Sequence, residues 1–208
     1  MLDVDGLDAL LYLLGGMPLF EAVTHAFATM STGGFSPRAA SVAAFSPRVQ
    51  LVILFFMILA GTNFSLFYAL RRSAGWKNLP RDPELRLYLL IMAGAALVIA
   101  VDLARRDGLV WRTPLDAAFQ AVAIMTTTGF ATVDFEQWPQ LSRGLLVALM
   151  FVGGCAGSTS GSMKVMRMVI GLKAALREVR QLFAPNRVMR VTVGGKAVPE
   201  EVVHSVAG

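Results

Sequence analysis

From Leu85 to Leu103 the chain reads LRLYLLIMAGAALVIAVDL. At a helical rise of about 1.5 Å per residue, a run of about 20 such residues crosses a bilayer core. Val49 to Leu70 is a second apolar run, stopped by Arg71 and Arg72. Leu141 to Val152 opens a third, which breaks into GGCAGSTSGS and resumes at Met163. Lipid cannot hydrogen-bond an irregular backbone, so that break must be buried in protein or line water. These runs fix the class as an all-α integral membrane protein. Composition agrees: 55% of residues are hydrophobic and 16% charged, against roughly a quarter charged in soluble domains.

Several function classes fall away. The single cysteine, Cys155, excludes an internal disulfide and a cysteine-cluster metal site, and His25 and His204 have no ligand-like spacing. The net charge is +5 and the pI near 9.9. The basic residues flank apolar runs rather than alternating with aromatics, which reads as cytoplasmic loops and not as a nucleic-acid surface. The opening MLDVDGLDALLYLLGG carries three acids and no basic region. It reads as the end of a helix, not a signal peptide.

The chain also repeats itself. PLFEAVTHAFATMSTGG (Pro18–Gly34) and PLDAAFQAVAIMTTTGF (Pro114–Phe130) each pass from Pro-Leu through an Ala-rich apolar stretch to hydroxyl residues and glycine. Aligning Pro18 with Pro114 sets Ser31 on Thr127, Thr32 on Thr128 and Gly33 on Gly129. Further on, FMILAGTNFS (Phe56–Ser65) aligns with LMFVGGCAGS (Leu149–Ser158), with Gly61 on Gly154. The helices from Pro18 to Met30 and from Pro114 to Met125 are too short to span and read as re-entrant. Glu21 and Asp116 suit their positive N-terminal ends. The repeating unit is an outer helix, a re-entrant helix, a hydroxyl-glycine strand and an inner helix. A short helix aims its carbonyl end into the membrane, and the carbonyls of a returning strand can replace the water shell of a cation. The loops 71–86 and 164–196 hold most of the nineteen basic residues. By the positive-inside rule the short helices therefore enter from outside.

The segments HAFATMSTGGFS, MTTTGFATVDFEQWP, MFVGGCAGSTSGSMKVMR, RDPELRLYLL and LFAPNRVMRVTVGGKAVPEEVV resemble the TrkH/TrkG branch of the Trk/Ktr potassium transporter superfamily. The resemblance implies a potassium-channel-type fold of four helix–pore-loop–helix repeats around one ion path. It divides this chain into the end of an outer helix (1–16), the rest of repeat two (17–72), a cytoplasmic linker (73–84), repeat three (85–182) and a linker toward repeat four (183–208). The first and fourth filter strands are expected outside the chain. The filter residues it implies are Ser31, Thr32, Gly33 and Gly34, then Thr127, Thr128, Gly129 and Phe130. Gly33 and Gly129 take the key glycine positions. Potassium would be held by backbone carbonyls near Thr32, Gly33, Thr128 and Gly129.

The same resemblance makes the interrupted span a gating loop of Gly153, Gly154, Cys155, Ala156, Gly157, Ser158, Thr159, Ser160, Gly161 and Ser162, with Lys164 directly after it. Ser162 stands where the family commonly has glycine. Lys164 is expected to snorkel rather than to sit at the cytoplasmic mouth, and Asn63, inside the first inner helix, to act as helix glue rather than to cap a kink or contact the path. Asp134 and Glu136 fit either an outer cation-attracting cluster or a solvated loop.

The implied function is potassium uptake in a bacterial inner membrane by a multi-pass protein that is not an enzyme. No cofactor is expected to be covalently bound. The expected partners are the bilayer, a second full-length subunit and a cytoplasmic ring of the TrkA type, which would carry the nucleotide and dock on the basic face 164–196. The rival readings are a sodium-coupled Ktr-type subunit, an intramembrane serine hydrolase built on GSTSGS, and a non-conducting scaffold. The hydrolase lacks a G-x-S-x-G centre, because Thr159 stands between Gly157 and Gly161.

Overall fold

The computed structural model describes residues 2–65, 82–108, 110–183, 191–193 and 196–207. The helices are α1 (Leu2–Leu14), α2 (Leu19–Met30), α3 (Pro47–Ala60), α4 (Pro83–Asp107), α5 (Thr113–Met125), α6 (Gln140–Phe151), α7 (Val165–Phe183) and α8 (Glu200–Ala207). A small antiparallel pair, β1 (Thr192–Val193) and β2 (Lys196–Ala197), separates the last two. The expected basic residues Arg71, Arg72, Lys77, Arg81, Arg187 and Arg190 lie outside the described residues.

Local chemistry sets the helix ends. Asp82 caps α4, its carboxylate accepting from the amides of Glu84 and Leu85, both at 2.9 Å. Pro83 then opens the helix, where no amide is needed. Arg105 and Arg106 close its last turn, next to the negative end of the dipole. Among the described residues, α4 is the one helix long and apolar enough to cross a membrane by length and composition, and α3 and α6 are shorter apolar helices.

The core is largely apolar, but apolar side chains also cover the outside and several polar ones lie within. Leu14, Leu90, Leu97 and Phe151 are exposed, whereas Asp8, His25, Gln50, Gln120, Thr126 and Ser142 are fully buried. Apolar side chains on the outer surface, with polar groups held inside the protein, suit a lipid solvent. Helix α4 packs on α5, α1 on α2, and α5 also meets α3 and α6. Most buried polar groups have local partners. Gln50 Nε2 donates to the carbonyls of Val42 and Phe45, and Gln50 Oε1 accepts from Arg112. Asp102 Oδ2 accepts from the amide of Ser142 and, at 2.6 Å, from its hydroxyl, which ties α4 to the start of α6.

One expectation fails here. The run from Val49 to Leu70 is not one helix, because α3 stops at Ala60. The Gly61 carbonyl turns to accept from the amide of Cys155 at 2.9 Å, and the amide of Phe64 donates to the Gly157 carbonyl at 3.2 Å. Both inner helices therefore break, and each break supplies hydrogen bonds to the other. Asn63 is no interhelical glue. Its Oδ1 accepts from the amide of Ser65 at 2.8 Å and caps the turn that follows the break.

Candidate functional site

Helices α2 and α5 end alike, and their ends fix the register of the repeat. The amide of Ser31 donates to the Phe27 carbonyl, as that of Thr126 does to Val122. The amide of Thr32 donates to Thr29, and that of Thr127 to Ile124, each at 3.0 Å. The amide of Gly34 donates to Ala28 at 3.4 Å, and that of Gly129 to Ala123 at 3.0 Å. Thr32 and Thr127 both have positive φ, 52° and 58°; Gly34 and Gly129 follow at 66° and 79°. The structural equivalents are thus Ser31 with Thr126, Thr32 with Thr127, Gly33 with Thr128, and Gly34 with Gly129.

This corrects the alignment made on Pro18 and Pro114 by one residue. Pro18 is the N-cap of α2, whereas Pro114 lies inside the first turn of α5. Proline fits both places because neither needs its missing N–H, so it does not hold register. Gly34, not Gly33, matches Gly129. Thr126 belongs with the second strand, and Phe130 matches Phe35. Phe130 is buried against the first repeat, with its ring centroid 5.7 Å from that of His25.

The two strands lie side by side. A Cβ built on Gly34 would collide with the Thr128 carbonyl oxygen. Gly33 has an ordinary φ, and a Cβ built on it would meet the side chains of Ser31 and Phe35 at 3.2 and 3.3 Å. A Cβ on Gly129 meets nothing within 4 Å. Thr126 and Thr128 bond through their hydroxyls at 2.9 Å.

The loop from Gly153 to Ser162 sits against both strands. Its neck is closed by the Gly153 amide on the Met163 carbonyl at 2.8 Å and by Ser162 Oγ on the Met150 carbonyl at 2.6 Å. Ser162 has a φ of 57°, the left-handed conformation that glycine adopts at least cost. The two positive-φ threonines both reach the loop. Thr32 Oγ1 shares its proton between the Ser31 carbonyl at 2.7 Å and the Thr159 carbonyl at 3.2 Å, and Thr127 Oγ1 accepts from the Gly161 amide at 2.7 Å. Thr159 Oγ1 contacts the carbonyls of Met30 and Ala60, at 3.0 and 3.2 Å, where α2 and α3 end. Ser160 Oγ accepts from the Gly154 amide at 2.9 Å.

Lys164 is half-buried and does not snorkel. Its ammonium donates to the carbonyls of Ser158 and Ser160 and to Ser158 Oγ. These acceptors outcompete a route to water because they converge on one short turn four to six residues back. From the other side, Glu84 Oε1 accepts from the Ala156 amide at 2.6 Å. Glu84 was not among the expected site residues. Its signal in the sequence is an acid in the first turn of a spanning helix.

The remaining expected positions are local in character. Asp134 caps a short turn, accepting from the Glu136 amide and from Gln137 Nε2. His25 bonds the Glu21 carbonyl and Ser36 Oγ, while Ser158 and Ser162 donate to the carbonyls of Cys155 and Met150. The histidine therefore contacts none of the loop hydroxyls that a serine hydrolase would need it to activate.

Two short helix-turn units bound to one broken-helix loop, inside a shell that turns apolar side chains outward, are the build of an all-α membrane protein. Residues 12–207 match the TrkH family, described as cation transport proteins, and the chain belongs to that family. The Trk system potassium uptake protein TrkH of Halomonas elongata is 37% identical over 202 residues, 96% of this chain and 42% of its own length. TrkG of Escherichia coli, of the same system name, is 37% identical over 204 residues, covering 94% of this chain and 41% of its own. The crystal structure of the potassium transporter TrkH from Vibrio parahaemolyticus matches with a TM-score of 0.91 at 36% identity, over 99% of this chain and 45% of that one. This chain thus spans about 42% of the length of the curated relatives it matches.

Proposed function

We propose that this chain forms two quadrants of a potassium path, with potassium ion as the substrate, in a bacterial inner-membrane uptake protein. The carrying observation is the pair of strands, Ser31–Gly34 and Thr126–Gly129, which share one backbone conformation and stand against one loop. Backbone carbonyls near Thr32, Gly33, Thr127 and Thr128 are the proposed ligands; two strands cannot surround an ion, so two equivalent strands complete the ring in the full-length protein. Continuing round the axis in the sense that sets Gly34 against Thr128, the next strand would stand beside Gly129. The short helices enter from the outer face, and α7 lies on the cytoplasmic side.

The loop from Gly153 to Ser162 is the gate of this path. It is supported by hydroxyl contacts to both strands and by Lys164 and Glu84 behind it. The exposed basic residues Arg167, Lys173 and Arg180 of α7 suit a nucleotide-binding regulatory ring, and two full-length subunits form the working dimer. The test is potassium uptake by the full-length protein with Gly129→Ser, measured in competition with sodium. Loss of potassium preference is expected. A preference equal to wild type in a normally inserted protein refutes the path.

A further inference from the structure

Helix α1 carries its polarity on the wrong side for water. Leu7, Leu10 and Leu14 are exposed, while Asp8 and Tyr12 are fully buried against the protein. Among the described residues, neither carboxyl oxygen of Asp8 lies in hydrogen-bonding geometry with a partner, and Tyr12 is the polar side chain that interacts with it. An ionised carboxylate in that position is costly, and intramembrane acids without a cation beside them are held neutral or serve function.

The hydroxyl geometry says which way the protons run. Tyr12 Oη lies 3.1 Å from Thr29 Oγ1, with both residues fully buried. Thr29 Oγ1 donates its one proton to the His25 carbonyl at 2.7 Å. Tyr12 must therefore be the donor to Thr29, which leaves the phenol oxygen with lone pairs and no proton to offer Asp8. Asp8 lies one turn before Tyr12 and interacts with it. A protonated Asp8 completes a chain of donors in one direction: carboxyl to phenol, phenol to threonine, threonine to the backbone of the pore helix. An ionised Asp8 has no donor available unless Tyr12 leaves Thr29.

Among the described residues of α1 and of the helices packed on it, α2 and α3, no cationic side chain pairs with Asp8. On α1 itself, Asp5 adds like charge. On α2, Glu21 pairs with Arg38, and His25 is bonded to the Glu21 carbonyl and Ser36. On α3, Arg48 is exposed. We propose that Asp8 is an intramembrane proton-binding site whose occupancy is transmitted through Tyr12 and Thr29 to the first pore helix. The transmission rests on the proposed potassium path; the proton site does not.

The experiment uses the full-length transporter in lipid. Infrared difference spectra in water and heavy water read the protonated carboxylic acid directly, and rubidium uptake across pH reads transport. Wild type is expected to show a protonated carboxyl band that Asp8→Asn removes and Tyr12→Phe shifts. Wild-type uptake is expected to fall as pH rises and Asp8 loses its proton, whereas Asp8→Asn, uncharged at every pH, loses that dependence. A band that persists in Asp8→Asn, or no protonated band at all, overturns the proton site; a basic residue elsewhere in the full protein pairing with Asp8 would give the second result. A pH profile unchanged in both variants overturns the link to the pore helix. Wild type without uptake, with the band present, would instead sink the transport reading alone.

Discussion

Neighbouring glycines in one strand should differ sharply when given a methyl group. Gly34 has a φ of 66°, which costs an L-residue about 1–2 kcal/mol. Its new Cβ would also meet the Thr128 carbonyl. That is a backbone atom that cannot rotate away, and such overpacking costs about 1–3 kcal/mol. Gly34→Ala should therefore disfavour the paired strands by about 2–5 kcal/mol. Gly33 has no positive φ and is approached by the side chains of Ser31 and Phe35. Side chains can give by a few tenths of an ångström, and alanine restricts the unfolded chain, a gain of about 0.4–1 kcal/mol. Gly33→Ala should be near neutral. A gap of about 2 kcal/mol or more is roughly 30-fold in the population of intact strands. Potassium-selective uptake by the two full-length variants, with melting temperature as the check on folding, measures it. Equal losses, or a greater loss for Gly33→Ala, would refute the register drawn from the backbone. Gly129→Ala then reports on the ring. Its φ of 79° imposes the backbone cost alone in this chain, so a loss as deep as that of Gly34→Ala requires a further strand beside it.

Lys164→Met keeps the aliphatic stem but removes the ammonium from the carbonyls of Ser158 and Ser160; resting uptake should rise several-fold. The same variant should quicken thiol modification of Cys155, which is buried in the closed loop, and unchanged labelling with unchanged flux would remove Lys164 from gating. Gly61→Ala should lower the melting temperature, because its Cβ would strike the Tyr88 hydroxyl, which donates to the Ile58 carbonyl. Tyr88→Phe in the same chain should restore part of the loss, and no restoration would mean that the break at Gly61 is held by something else.

The long helix α4, the short helices and the interrupted third run were legible because lipid imposes length and leaves little freedom in backbone pairing. The repeat was legible too, but not its register. Proline tolerates two positions at a helix start, so Pro18 and Pro114 were poor anchors; the methionines that end the helices, Met30 and Met125, align the strands correctly. Thr32 and Thr127 gave no sign of positive φ, since β-branched residues rarely adopt it. Their conformation follows from contacts with Thr159 and Gly161, far away in sequence. The break at Gly61 was hidden for the same reason: its partner is the backbone of Cys155.

On the proposed function, those long-range contacts let one loop act on two repeats at once. Helices α2 and α3 end with the carbonyls of Met30 and Ala60 turned toward the loop, and one hydroxyl, that of Thr159, reaches both. Lys164 does the same for the carbonyls of Ser158 and Ser160 within the loop. A buried carbonyl left without a partner costs about 1–3 kcal/mol. Withdrawing the loop into a dry space would therefore forfeit such bonds, which disfavours that movement. Withdrawing it into a wetted path replaces each bond with one to water or to a passing cation, at little net cost. If the loop is the proposed gate, only a hydrated pathway can satisfy these carbonyls in another way, and opening the loop and filling the path with water are then a single event.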